Sequence, residues 1–175
     1  MDLYLQDLTP EMPGITTELR AVFAQAAAVC LNGQGHTSGV DFAVRGFQSG
    51  LHRAFWDAVS ETAQASWDDP TEATESGAVG VAVTLAVRVL GKKIVKRARI
   101  GTGFDYWLGE SEDDSINMFE NTARLEVSGI RRNSDQAVDA RVEQKLKQTT
   151  RSNNDFPAVV IVVEFSKPQA KIATR

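Results

Sequence analysis

Two acids, Asp105 and Glu126, carry the chemistry most directly readable in this chain. Each lies in a short apolar run, FDYWL and RLEVSG, and the residues between, 109–121, are polar and rich in turn formers. Carboxylates on neighbouring strands are the oxygen ligands that a hard divalent cation such as Mg²⁺ takes, commonly together with substrate phosphate. On an extended strand Arg124, Glu126 and Ser128 share one face, and Leu125 and Val127 the other. With Asp105 turned to the face of Glu126, two carboxylates and the Val127 carbonyl would converge on one point beside a phosphate. The same residues also have a purely structural reading. Asp105 can bond turn amides at Gly101 or Gly103, and Glu126 can pair across strands with Arg124 or Arg99, a type of pair that contributes little when exposed.

The elements that must position these acids follow from periodicity and caps. From Thr16 or Thr17 to about Leu31 the apolar positions recur at helical spacing and end at Asn32-Gly33. VDFAVRG, 40–46, alternates as a short strand. Ser49 is a candidate cap for a helix that runs to about Trp67, with Leu51, Ala54, Phe55, Ala58, Val59 and Thr62 on one face. Asp69, Pro70 and Glu72 suit N-cap, N1 and N3, and Gly91 suits the C′ position, so residues 69–91 are expected to form a buried helix. A strict alternation of Val79, Val81, Val83, Leu85, Val87 and Val89 argues for a strand over the same residues. Strands follow at 92–100, 104–108 and 124–130, with a helical turn near 116–119. A helix from Ser134 or Asp135 to Gln148 then leads to PAVVIVVEF, 157–165, which reads as a strand buried on both faces. Residues 1–14 read as an irregular lead-in and 167–175 as a tail.

Length and composition suit one domain: 175 residues, 42% hydrophobic and 24% charged. No apolar run reaches the roughly eighteen residues of a membrane helix, so no membrane association is expected. The acidic first residues lack a basic flank and show no secretory signal. Cys30 is the sole cysteine, which excludes an intrachain disulfide or a multi-thiolate zinc site and suits a cytoplasmic setting. In its apolar helical context it reads as a buried, inert thiol. The net charge of −4 is unevenly spread: residues 1–91 hold four basic and eleven acidic side chains, residues 92–175 fifteen and twelve. The half with the carboxylate pair can therefore present a phosphate-facing surface.

The order helix, strand, strand, strand, helix, strand over about 70–166, with GTGFDYWL followed by LEVSG, resembles the core of the PD-(D/E)XK nuclease superfamily. The resemblance implies an α/β (α+β) fold: a restriction-endonuclease-like αβββαβ core over 69–166 with a mixed central sheet. An N-terminal helix-strand-helix layer over 1–68 and the tail would complete a single domain, 1–175. In that family the first acid lies on the second strand and the second opens an E-x-K triplet on the third. Asp105 matches the first acid and Glu126 the second, and an acid from the first core helix, Glu75 or Glu72, often joins them. The resemblance thus implies Mg²⁺ or Mn²⁺ held by Asp105, Glu126 and Glu75, with DNA phosphodiester bonds as substrate. It departs from the pattern at Ser128, where the family has its lysine. Lys145, Lys147 or Lys96 could supply the missing charge, and Ser128 with Lys145 would then flank the attacking water. Gln144 is similar to a helix glutamine of some branches.

Two other functions stay open. The chain could be a non-catalytic accessory subunit of a larger complex on the same scaffold, or an interaction protein whose acidic first half docks a basic partner protein. His36-Thr37-Ser38 lacks a third orienting group for nucleophilic catalysis and reads as a loop turn. His52 reads as a boundary residue of its helix. GQG and GTG are too short for a dinucleotide site. The run Glu110, Glu112, Asp113, Asp114 reads as a solvated loop. Trp107 shares the parity of Asp105 and is the one aromatic considered for base stacking.

Overall fold

Among the described residues eight strands join in one mixed sheet, and the helices lie on its two faces. The structure is a computed structural model that describes residues 1–110, 122–150 and 156–175. In chain order the elements are β1 (Asp2–Tyr4), α1 (Thr17–Gly33), β2 (Val40–Gly46), β3 (Gly50–Phe55), α2 (Glu61–Ser66), α3 (Pro70–Arg88), β4 (Lys92–Arg97), β5 (Tyr106–Glu110), β6 (Ala123–Ile130), α4 (Asp135–Thr149), β7 (Ala158–Glu164) and β8 (Gln169–Thr174). The sheet order is β1-β3-β2-β8-β7-β6-β5-β4, with β1/β3, β2/β8 and β6/β7 parallel and the other pairs antiparallel. This is an α+β fold. The expected helical turn at 116–119 and the acids at 112–114 lie outside the described residues.

The helix expected over 69–91 forms as α3. Asp69 accepts the N–H groups of Thr71 and Glu72 and Pro70 opens the first turn. Its alternating valines do not make a strand because α3 is covered on two sides, by α1 and by the sheet, so apolar residues are tolerated nearly all round. Small residues make this possible. A Cβ on Gly80 would lie 2.4 Å from the Phe23 carbonyl oxygen of α1, and one on Gly129 of β6 would lie 2.4 Å from the Thr74 carbonyl oxygen of α3. On the same sheet face Leu125, Val127, Val159 and Ile161 meet α3 and α1 in the main core. On the opposite face Val160 and Val162 pack with Val138 and Val142 of α4. β7 is buried throughout, as its unbroken apolar run requires.

Three expectations are corrected. Residues 50–55 are strand, not the start of a helix capped by Ser49. Gly46 and Gln48 take positive φ, and the chain reverses so that Ala54 pairs with Val40 of β2 and with Leu3 of β1. The helical spacing of Leu51, Ala54 and Phe55 was outweighed by this hairpin, and only the six residues of α2, capped by Ser60, are helical. The lead-in contains β1, whose Tyr4 stacks on Phe55 at 4.9 Å. The tail is β8, which pairs with β7 on one side and β2 on the other. Residues 1–68 are therefore not a layer on the core; their strands extend the same sheet. Among the described residues no helix is long and apolar enough to cross a membrane.

Gly80→Ala tests the contact between α1 and α3. In an exposed helix that change gains about 1 kcal/mol. Here it is expected to cost about 1–3 kcal/mol, because α1 backbone must shift. The urea midpoint of the variant against the parent reads the sign directly.

Candidate functional site

The site lies at the start of β5, where β6 continues past it. Tyr106 opposite Leu125 is the last residue pair of the β5/β6 ladder, so 127–130 of β6 have β7 on one side only. An amide left there needs a partner. Asp105 supplies it. Its own N–H donates to the Leu125 carbonyl at 2.8 Å, and its Oδ2 accepts the Val127 N–H at 2.8 Å. The acid thus caps the open edge of β6 and is held opposite Glu126. Its observed contact with Val127 is to the amide; the turn glycines Gly101 and Gly103 are not its partners here.

Glu126 and Ser128 face α4, as alternation requires. Strand and helix run antiparallel, and residues two apart on β6 meet residues four apart on α4. Lys145 Nζ donates to Glu126 Oε1 at 2.5 Å, and Arg141 Nη1 donates to Ser128 Oγ at 3.1 Å. Arg124, on the same face, is turned away from the acids and donates to the Phe156 and Thr149 carbonyls. Glu126 therefore pairs with Lys145 rather than with Arg124 or Arg99.

Asp105, Ser128, Arg141 and Lys145 line a cleft of about 400 Å³, whose walls also carry Glu75 and Ser76 of α3 and Arg97 of β4. Asp105, Ser128 and Lys145 line it together, with Glu126 reached through Lys145. Glu75 is present but exposed on the α3 wall, and among the described residues no three acids, histidines or cysteines come close enough to hold a metal ion. Glu72, Lys96 and Lys147 are exposed and outside the cleft lining. Two carboxylates plus a phosphate still form an acceptable Mg²⁺ ligand set. Burial raises the Glu126 pKa, to about 7; Lys145 opposes the rise and Asp105 adds to it by charge and by a hydrogen bond to the protonated form. Two carboxylates this close repel each other, and a divalent cation between them relieves that repulsion.

Arg141 and Arg97 were not among the residues singled out from sequence. The signal for Arg141 was its position four before Lys145, which puts both on one helical face. Trp107 is not at the cleft: it packs edge-on against Phe104 and Phe156, at 4.8 and 5.1 Å. His52 lies on β3, and His36 Nε2 meets the Phe165 and Ser166 carbonyls at 3.1 and 3.2 Å, holding its loop to the β7–β8 turn. Cys30 is buried, and burial pushes its thiol up to about 11, as an inert cysteine requires. No protein-family model, no curated protein and no solved structure matches the chain.

The raised Glu126 pKa has a consequence for stability. Folded Glu126 releases its proton near pH 7, the unfolded chain near 4.5, so the folded state holds more protons between those values. Stability contributed by this group is expected to fall as pH rises from 4.5 to 7. Glu126→Gln should flatten that slope in urea titrations run in EDTA; an unchanged slope would assign the titration to another group.

Proposed function

We propose that this chain is a metal-dependent nuclease-type phosphodiesterase acting on DNA, with the cleft beside Asp105 as its active site. The observation that carries this reading is Lys145. Its ammonium sits on Glu126 next to Asp105, so an acid, an acid and a lysine stand together although residue 128 is serine. The order α3-β4-β5-β6-α4-β7, with β6 parallel to β7, adds support for the PD-(D/E)XK resemblance. Asp105 and Glu126 would hold Mg²⁺ or Mn²⁺, which when bound supplies Lewis-acid polarisation of a phosphoryl oxygen. Glu75 remains a supplementary acid from the α3 wall. Lys145 has two further N–H donors for a water or a non-bridging oxygen, so it orients the nucleophile and offsets charge that develops on the phosphate. Arg97 continues the basic character of β4 to the cleft. A cytoplasmic setting accords with the buried free thiol.

One observation favours a second reading, a catalytically inactive accessory subunit that binds DNA or a protein partner. Lys145 and Arg141 already satisfy Glu126 and Ser128 without an ion. The two readings part in one assay. Labelled linear and circular DNA and RNA are incubated with the protein in Mg²⁺, Mn²⁺ or EDTA. The nuclease reading expects cleavage with either ion and none in EDTA, with Asp105→Ala and Glu126→Ala each reducing the rate roughly a hundredfold or more. Cleavage that survives EDTA and both substitutions would overturn it. Binding without cleavage under every condition would establish the accessory reading instead.

A further inference from the structure

The contacts between β6 and α4 form a ladder with two rungs of different charge. Two residues along a strand span about 6.6 Å and four along a helix about 6 Å, so Glu126–Lys145 and Ser128–Arg141 fall in step. The first rung pairs an acid with a base and is neutral. The second pairs a hydroxyl with a guanidinium and keeps its full positive charge. Arg141 is half-buried, and among the described residues it has no carboxylate within ion-pair distance. Its fork offers five N–H donors, of which Ser128 Oγ occupies one nitrogen. Both residues line the cleft.

We infer that Arg141, tethered by Ser128, is the phosphate anchor of this cleft, taking the non-bridging oxygens of a phosphodiester one step along the ladder from the Asp105–Glu126 pair. The inference rests on the nuclease reading for its substrate and adds a residue that the family pattern does not supply. Planar, bidentate contact with a phosphate is what a guanidinium does better than an ammonium. The anchor also accounts for serine at the motif lysine's position. A lysine at 128 would set a second cation against Arg141 and displace it; a hydroxyl accepts its N–H and fixes the direction of the fork. Ser128 is then a positioning residue and Arg141 the group that touches substrate.

The test uses binding in EDTA, where no ion contributes. Anisotropy of a labelled DNA duplex is measured over a salt series for the parent, Arg141→Ala, Arg141→Lys, Ser128→Ala and Ser128→Lys, each first shown to melt like the parent. Arg141→Ala is expected to weaken binding about tenfold or more and to lower the slope of log affinity against log salt by roughly one. Arg141→Lys should fall between, which also covers failure of the alanine variant to fold. Ser128→Ala should lose a few-fold, and Ser128→Lys, although it restores the motif residue, should bind no better than Ser128→Ala. Parent-like affinity and slope in Arg141→Ala would overturn the anchor and leave the nuclease reading intact, as would tighter binding by Ser128→Lys. A second arm titrates inorganic phosphate against the Arg141 Nε–H NMR signal. A shift there in a protein that binds no duplex would keep the anion site and overturn the DNA reading. No shift and no duplex binding would overturn both.

Discussion

Everything in the cleft depends on how closely α3 is pressed between α1 and the sheet. The contact is backbone against backbone: Gly80 admits the Phe23 carbonyl of α1, and Gly129 admits the Thr74 carbonyl of α3. A methyl group at either place would drive the layers apart, because close-packed interiors do not absorb added volume. With α3 held this near, Glu75 and Ser76 form a wall beside β6. On the far face α4 is fixed by Val138 and Val142 against Val160 and Val162, which sets Arg141 and Lys145 over β6. Two independent packing layers thus converge on the stretch of β6 that has a strand, β7, on one side only.

The electrostatics of that stretch follow from its burial. Glu126 is only 5% exposed, and a carboxylate there is costly unless a partner repays its lost hydration. Lys145 is that partner, and Asp105 works against it. The pair is therefore a compromise: a buried acid whose charge is supported from one side and opposed from the other. Positions of this kind are unfavourable for stability unless each charge keeps its partner. Asp105 has a second duty. By accepting the Val127 amide it closes the β6 edge, so any substitution there also disturbs backbone satisfaction.

Much of this was legible in the sequence, and the reasons for the gaps are local. The caps at Asp69 and Ser134, the apolar run of β7 and the placement of Glu126 on a strand all rest on short-range chemistry, and each is found; Asp105, expected inside a strand over 104–108, instead lies one residue before β5. Residues 50–55 were misassigned because their apolar spacing fits a helix while their partners, β1 and β2, lie elsewhere in the chain. β8 was missed for a similar reason: Gln169–Thr174 is short, and its burial comes from β2 and β7 rather than from its own composition. At the site, side-chain parity gave the faces of Glu126 and Ser128, but the register of α4 against β6 is a tertiary quantity. Lys145 could be named only as one of three lysines, and Arg141 not at all.

The place of β8 has a further meaning for how the molecule is assembled. It is later in the chain than every other described strand, yet it lies in the middle of the sheet, between β2 and β7. Ala43 meets Gln169 across most of the sequence. During synthesis the ribbon of β1, β3 and β2 must wait with an unpaired edge until β8 emerges, and contacts of such high sequence separation form slowly. An unpaired edge is the kind of surface on which chains associate wrongly. The strand formed late in the described sequence is thus the keystone that joins the two halves of the sheet.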